Sequence, residues 1–419
     1  MKNLRKASGI TLIALVITIV VLIILATVSI NMVLDKENGI LRAADRASKE
    51  YQEGEKKEQG ALTKLEEEIN KHIEQGKTEN VTMVKSEDNQ EVPVPRGYVA
   101  STIEGEKSVS TGFVIKKGDN GAATEGVNEF VWVPVSEESF NEMFATESCK
   151  LSGKTGVKTE YYSKLRIING FNAVNYTATK PGDASGTREP DLATTHDDDS
   201  TATLAGYANL AAMAQGFVDD YKNMRESIKK YGGFYIGRYE LSGTVDNPTV
   251  QSGEVLTALS SQAGNWYGLY KASKNVAKEG EKVTSTMIWG CQWDETMDWI
   301  KNTKFKGNSS AIDLDSSSWG NYSSSSGDAA LTKEDGTNAY GSPQKSGYSK
   351  EYWSANNICD LAGNCFEFTQ EAHSSMSRVL RGGSMRSMDT GYPATGRNNT
   401  DPKQVNGFYS TRVTLYINP

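Results

Sequence analysis

Asn357-Ile358-Cys359-Asp360-Leu361-Ala362-Gly363-Asn364-Cys365-Phe366-Glu367-Phe368-Thr369 is the stretch on which the reading of this chain turns. Gly363 stands where a turn needs positive φ or a close backbone approach, and Arg381-Gly382-Gly383-Ser384 marks a second such point. Phe366 and Phe368, with Trp289, Trp293 and Trp299 upstream, supply large apolar area for a core. Asp360, Glu367, Arg381 and Arg412 are charges set among apolar neighbours, the pattern of buried ion pairs that fix loops.

Upstream, short runs with β-branched and aromatic residues read as strands: 99–102, 112–115, 129–135 (EFVWVPV) and 234–240 (FYIGRYE). The spacing of Leu204, Leu210, Met213, Phe217, Tyr221, Met224 and Ile228 predicts one helix over 204–230, stopped by Gly232-Gly233. A second helix is predicted over 294–301, with Asp294 and Glu295 placed to favour the dipole of its first turn. The Ser/Gly/Asn-rich stretch 306–352 reads as a long surface loop. Strands and helices segregate instead of alternating, so the fold class is α+β.

The motifs around Asn357–Thr369, then RVLRGGS (378–384), GRN (396–398) and NGFYSTRV (406–413), come in an order that resembles the formylglycine-generating-enzyme (sulfatase-modifying-factor) family. That resemblance spans roughly 97–417 and implies a C-type lectin-like domain, the fold also used by variable proteins of diversity-generating retroelements. The enzymes of the family use a cysteine pair just after RGGS; here that stretch reads MRSMDTGYPATGRNNTDP, without cysteine. The resemblance therefore implies a binding scaffold and no formylglycine-generating activity. No cofactor is expected; the resemblance leaves calcium as the alternative, held through Asn364 and Glu367, oxygen ligands being the chemistry calcium takes. Diversified relatives vary this carboxy-terminal region, which makes Met385, Arg386, Met388, Asp389, Tyr392, Asn398 and Asn399 the candidate ligand-binding residues.

At the other end, twenty-one uncharged residues run from Ile10 to Ile30 behind Lys2, Arg5 and Lys6. As a helix they reach across a hydrocarbon core of about 30 Å. The basic leader favours a cytoplasmic N-terminus and an extracellular C-terminal domain. The segment resembles type IV prepilins: residues 1–9 form a leader, Gly9–Ile10 is the bond for prepilin peptidase with methylation of the new terminus, and 10–30 is the pilin-like transmembrane helix. The family's usual Glu at the fifth mature position is Ala14 here, which speaks against ordinary polymerisation with other pilin or pseudopilin subunits. Twenty of the forty-three residues 35–77 are charged, with Leu62, Leu65, Ile69 and Ile73 at helical spacing. Residues 31–78 thus fit a charged helical stalk or an equally charged linker. A Pro-bearing linker (79–96) leads into the domain at 97–419.

Composition sets the remaining bounds. The net charge of −8 argues against nucleic acid, whose phosphates demand clustered cations. Four cysteines (Cys149, Cys291, Cys359, Cys365) without CxxC, and three histidines (His72, His196, His373), offer no metal-ligand spacing; buried free thiols are expected. The combined expectation is a membrane-anchored or pilus-associated cell-surface protein. It would sit in the envelope as a single-pass protein displaying a lectin-like domain to a protein or glycan ligand. An enzyme of the sulfatase-modifying-factor superfamily with other catalytic residues, or a structural minor pilin, are the alternatives.

Overall fold

The computed structural model describes residues 16–19, 80–118, 126–144, 150–151, 154–155, 174–176, 186–188, 194, 196–374, 376–387 and 391–418. The chain divides into a unit 1–74 and a compact unit Gln75–Pro419. Of the apolar run 10–30 only Val16–Ile19 are described, one exposed helical turn. Among the described residues no helix is long and apolar enough to cross a membrane. A span takes about 20 apolar helical residues, so the expected membrane-spanning helix is corrected. The single-pass envelope placement that rested on it is corrected too. The leader, the Gly9–Ile10 bond, Ala14 and the stalk 31–78 lie outside the described residues.

The compact unit begins with a hairpin, β1 (Val81–Lys85) and β2 (Glu91–Pro95), inside the stretch expected to be an irregular linker. Val92 and Val94 are buried, and the Tyr235 hydroxyl donates to Pro93 O at 3.2 Å, so the hairpin belongs to the domain. Next come β3 (Tyr98–Ala100), β4 (Val114–Lys117), β5 (Glu129–Pro134) and α1 (Glu137–Met143). They are followed by α2 (Asp199–Leu204), α3 (Leu210–Tyr231), β6 (Gly233–Gly237), α4 (Trp266–Lys274), β7 (Val283–Met287) and α5 (Gly290–Thr303). The carboxy-terminal strands are β8 (Phe366–Ser374), β9 (Ser377–Arg381), β10 (Arg397–Thr400), β11 (Tyr409–Thr411) and β12 (Val413–Ile417).

An antiparallel six-stranded sheet, ordered β7-β12-β6-β5-β4-β3, forms the centre. Both faces of the sheet are covered, and the two-residue alternation sorts the apolar side chains of its strands into two cores. Phe130, Trp132, Tyr235 and Leu415 enter one core with Trp266 and Tyr270 of α4. Val131, Val133, Phe234, Ile236 and Tyr416 enter the other with Trp289 and with Trp293 and Met297 of α5. Helix α3 serves both: Met213 and Phe217 pack in the first, Tyr221, Met224 and Ile228 in the second.

The helix predicted over 204–230 is in fact two. Gly206 (φ +87°) breaks the chain, and Asn209 caps α3 by accepting from Ala212 N at 2.9 Å. Gly232 in the left-handed region ends it. Helix α5 starts four residues before the expected 294, so Asp294 and Glu295 are not in its first turn; they lie buried in its interior. The 306–352 stretch is no mere surface loop. Trp319, Asn321 and Tyr322 are buried within it, and Trp353 closes a small core with Ala329 and Ala339.

Candidate functional site

The motif stretch builds a second sheet, β10-β9-β8-β11, with β8 and β11 parallel and the other pairs antiparallel. Each of its arginines is held by an acid. Arg412 forks onto Glu367 (Nε to Oε2 2.9 Å, Nη2 to Oε1 2.5 Å), and Arg397 binds Glu371 through Nε at 2.9 Å. Arg381 pairs with Asp294, and Arg378 reaches Asp197 at 3.4 Å while stacking 4.2 Å over Trp266. All four guanidinium residues are at most 1% exposed. Removing one partner of such a pair strands a buried charge, so the pairs hold register even where their net contribution to stability is small. The result is a stiff frame.

Register and alternation decide which candidates share a face. Phe366 lies opposite Tyr409, and Phe368 opposite Leu380, which is opposite Asn398, so these five side chains share one face of the sheet. Asn399, paired with Val379, points to the other face. At the rim of the first face the half-buried Tyr392 meets Phe366 edge-on at 5.4 Å. Tyr409 meets Phe366, Phe368 and Phe408 at 6.1, 5.6 and 5.6 Å. Arg386 is exposed and lays its guanidinium 4.9 Å over the Phe408 ring.

The structure therefore joins Arg386, Tyr392 and Asn398 and separates two others from them. Met385, expected in an exposed loop, is 1% exposed, and its N–H donates to Asn364 O at 2.9 Å. Asn399 is on the wrong face. Met388 and Asp389 lie outside the described residues. Phe408 and Tyr409 belong to the surface and were missed; the aromatic pair after Asn406-Gly407 was the available signal. Tyr322 was missed too, although its hydroxyl is 2.7 Å from Gly382 O and 3.1 Å from Tyr392 O and ties the 306–352 segment to this rim. Ser323 Oγ joins the same contact by donating to Ser387 O at 2.9 Å.

Below the turn 360–364 lies a buried group of acids. Glu240 accepts from Asn364 Nδ2 at 2.6 Å and from Cys365 N at 3.1 Å. Asp360 Oδ2 accepts from Ser346 Oγ and Gly347 N at 3.0 and 2.7 Å. Burial raises all three carboxyls and the neighbouring acids add to it for Glu240 and Glu367: Asp360 to about 6, Glu367 to about 7 despite Arg412, Glu240 well above its ordinary range.

Calcium does not fit here. Arg412 takes both oxygens of Glu367, and Asn364 Oδ1 already accepts from Asn321 Nδ2 (3.0 Å) and Gln344 N (3.3 Å). Among the described residues no group of three or more His, Cys, Asp or Glu side chains is arranged to hold a metal ion. Cys359 and Cys365 are buried free thiols, Cys291 is buried, and Cys149 lies outside the described residues. Burial, with Asp360 nearby, pushes Cys359 up to about 12, and burial with Glu240 pushes Cys365 well up, so neither is a thiolate at neutral pH.

No family model and no curated protein matches the chain. Among solved structures it is similar to Treponema denticola variable protein 1, at 14% identity over 81% of this chain and 93% of that one. The TM-score is 0.22, a superposition too loose to carry an argument.

Proposed function

We propose that the chain is a binding protein whose carboxy-terminal sheet presents Arg386, Tyr392 and Asn398, joined by Phe408 and Tyr409, to a protein or glycan ligand. One observation carries this reading: a rim of half-buried aromatic rings with an exposed arginine stands on a sheet whose own arginines are all committed to buried acids. Such a rim is costly to leave in water and cheap to complete with a ligand, because the frame beneath is already ordered. Tyr and Arg are the residue types that dominate recognition energetics, and Asn adds adaptable hydrogen bonds. The motif order supports a lectin-like variable domain, and the lack of a cysteine pair after RGGS supports a non-catalytic role.

The test is a glycan and protein array probed with the wild-type chain and with Arg386→Ala and Tyr409→Ala. Retention of a ligand by the wild type and its loss by both variants is the expected result. Silence of the wild type across the array, or a ligand held equally by both variants, would count against the reading.

A further inference from the structure

Two glutamines converge where the carboxy-terminal sheet rests on the central one. Gln292 in α5 is 0% exposed and Gln370 in β8 is 1% exposed. Gln292 Oε1 accepts from Thr414 Oγ1 at 3.1 Å, and Gln370 Nε2 donates to Thr286 Oγ1 at 3.0 Å. Thr286 and Thr414 lie directly opposite each other on β7 and β12, so their side chains leave one face of the sheet about 5 Å apart. The two amides therefore stand side by side over one cross-strand pair. Each keeps one end without a hydrogen-bond partner among the described residues: Nε2 of Gln292 and Oε1 of Gln370. We infer that a single water molecule is bound between Gln292 and Gln370, tying α5 and the central sheet to the sheet that carries the candidate surface. The inference stands on these contacts and does not depend on the function proposed above.

The backbone fixes which end of each amide is left over. Gln292 Oε1 also accepts from Trp289 N at 3.2 Å, which only the oxygen can do. Gln370 Nε2 also donates to Met287 O at 2.8 Å, which only the nitrogen can do. Neither amide can flip without losing a backbone bond. What remains is an amide nitrogen with protons to give on one side and a carbonyl oxygen on the other. Thr286 adds a third group: its oxygen accepts from Gln370, and its own proton goes to no acceptor among the described residues. These groups select the ligand by charge. The Gln292 N–H groups repel a cation, and the Gln370 oxygen repels an anion. A small neutral molecule that both accepts and donates completes both sides, and leaving buried polar groups bare is costly. Water accepting from Gln292 and Thr286 and donating to Gln370 makes about three hydrogen bonds, the usual number for a buried water.

A bulge makes Gln370 available for this joint. Phe368 pairs with Leu380 and Ala372 with Arg378, so the register of β8 against β9 shifts between them. Residues in such a shift leave the ladder. Gln370 N donates instead to Ile288 O at 3.1 Å, and its carbonyl accepts from Arg378 Nη1 at 2.7 Å. Its backbone thus links the start of α5 to an arginine of the stiff frame, and the water extends that link through its side chain. The surroundings are apolar: Ile236, opposite Thr414, belongs to the second core with Trp289 and Met297. A water enclosed there exchanges slowly with solvent, which makes it countable.

The test counts long-lived internal waters by water-oxygen relaxation dispersion in the folded full chain, as wild type, Gln292→Met, Gln370→Met and the double variant. Methionine keeps the length of the side chain and removes both polar ends. Each single variant should lose one long-lived water, and the double variant should lose that same one and no other. Any other pattern overturns the inference. Should a variant fail to fold by circular dichroism, a crystal structure of the wild type decides. A water within about 3.2 Å of both Gln292 Nε2 and Gln370 Oε1 supports the inference. A direct hydrogen bond between the two amides, or no water at that place, refutes it.

Discussion

Two groups of buried charge flank the end of β6, only two residues apart in the chain, and they obey opposite arithmetic. Around Arg238, two acids meet two bases: its Nη1 is 2.6 Å from Glu106 and 2.7 Å from Glu129, and Lys116 Nζ lies 3.7 and 4.0 Å from the same pair. Around Glu240, three acids meet Arg412 alone. Burial pushes Glu106 up, but the Ser101 hydroxyl, Arg238 and Lys116 outweigh it and hold the carboxyl below its ordinary value. For Glu240 burial and neighbouring acids push the same way, and it rises. Burial is common to both; the ratio of acids to bases sets the protonation.

Removing the scarce base should have the largest effect. Arg412→Ala leaves Glu367 without its fork, and the loss of one partner from such a pair costs about 3–5 kcal/mol. Urea unfolding would show it as a midpoint shift; a shift under about 1 kcal/mol, the scale of an exposed pair, would mean that Glu367 is already protonated and the comparison between the clusters is wrong.

Gly363→Ala tests the turn that closes the acid-rich group. At φ +75° its Cβ would stand 2.0 Å from the Asn321 carbonyl oxygen, a backbone atom that cannot swing aside. Strain and overpacking together should cost about 2–3 kcal/mol in the same unfolding assay. Gly105→Ala is the matched control: φ is +80° but nothing lies within 4 Å, so it should cost less, about 1 kcal/mol.

How far the sequence discloses this arrangement depends on the range of the interactions. The apolar face of α3 and its glycine stop are legible because helical period and capping are local. The break at Gly206 and Asn209 is not, since Leu204 and Leu210 keep the apolar spacing across it while Leu204 stays 50% exposed. Helix α4 escapes notice because Trp266, Tyr267, Leu269 and Tyr270 are apolar all round, and its cap depends on Asn265 accepting from Tyr267 N. The turn motif announces buried charges but not their partners: Arg412 and Glu367 are 45 residues apart, Arg381 and Asp294 are 87. At the candidate surface, Arg386 and Tyr392 are legible as polar loop residues. The burial of Met385 comes with a bond to Asn364, and the opposite facing of Asn398 and Asn399 with strand register, neither of which a loop reading contains.

The balanced cluster gives a smaller and oppositely signed effect. Glu106→Gln leaves Arg238 to Glu129 alone and should cost about 1–2 kcal/mol at neutral pH. Because the folded Glu106 is depressed from 4.5, its contribution is present above that value and lost as pH falls through the folded one. The variant should therefore flatten the acid limb of a melting-temperature profile and leave the neutral-to-alkaline limb as in the wild type. A change confined to the alkaline limb would show that the two groups titrate as one.

The smallest effect on stability should come from the rim. Arg386 is exposed, its one ring contact is with a half-buried Phe408, and among the described residues it forms no ion pair. Substitutions of that kind shift stability by no more than about 0.5 kcal/mol. Arg386→Ala should then melt with the wild type while losing the ligand that the array identifies. A large loss of stability would assign the arginine to the frame instead, beside Arg378, Arg381, Arg397 and Arg412. The contrast between committed arginines below and a free one above would then fail, and with it the physical reason for reading this rim as a binding surface.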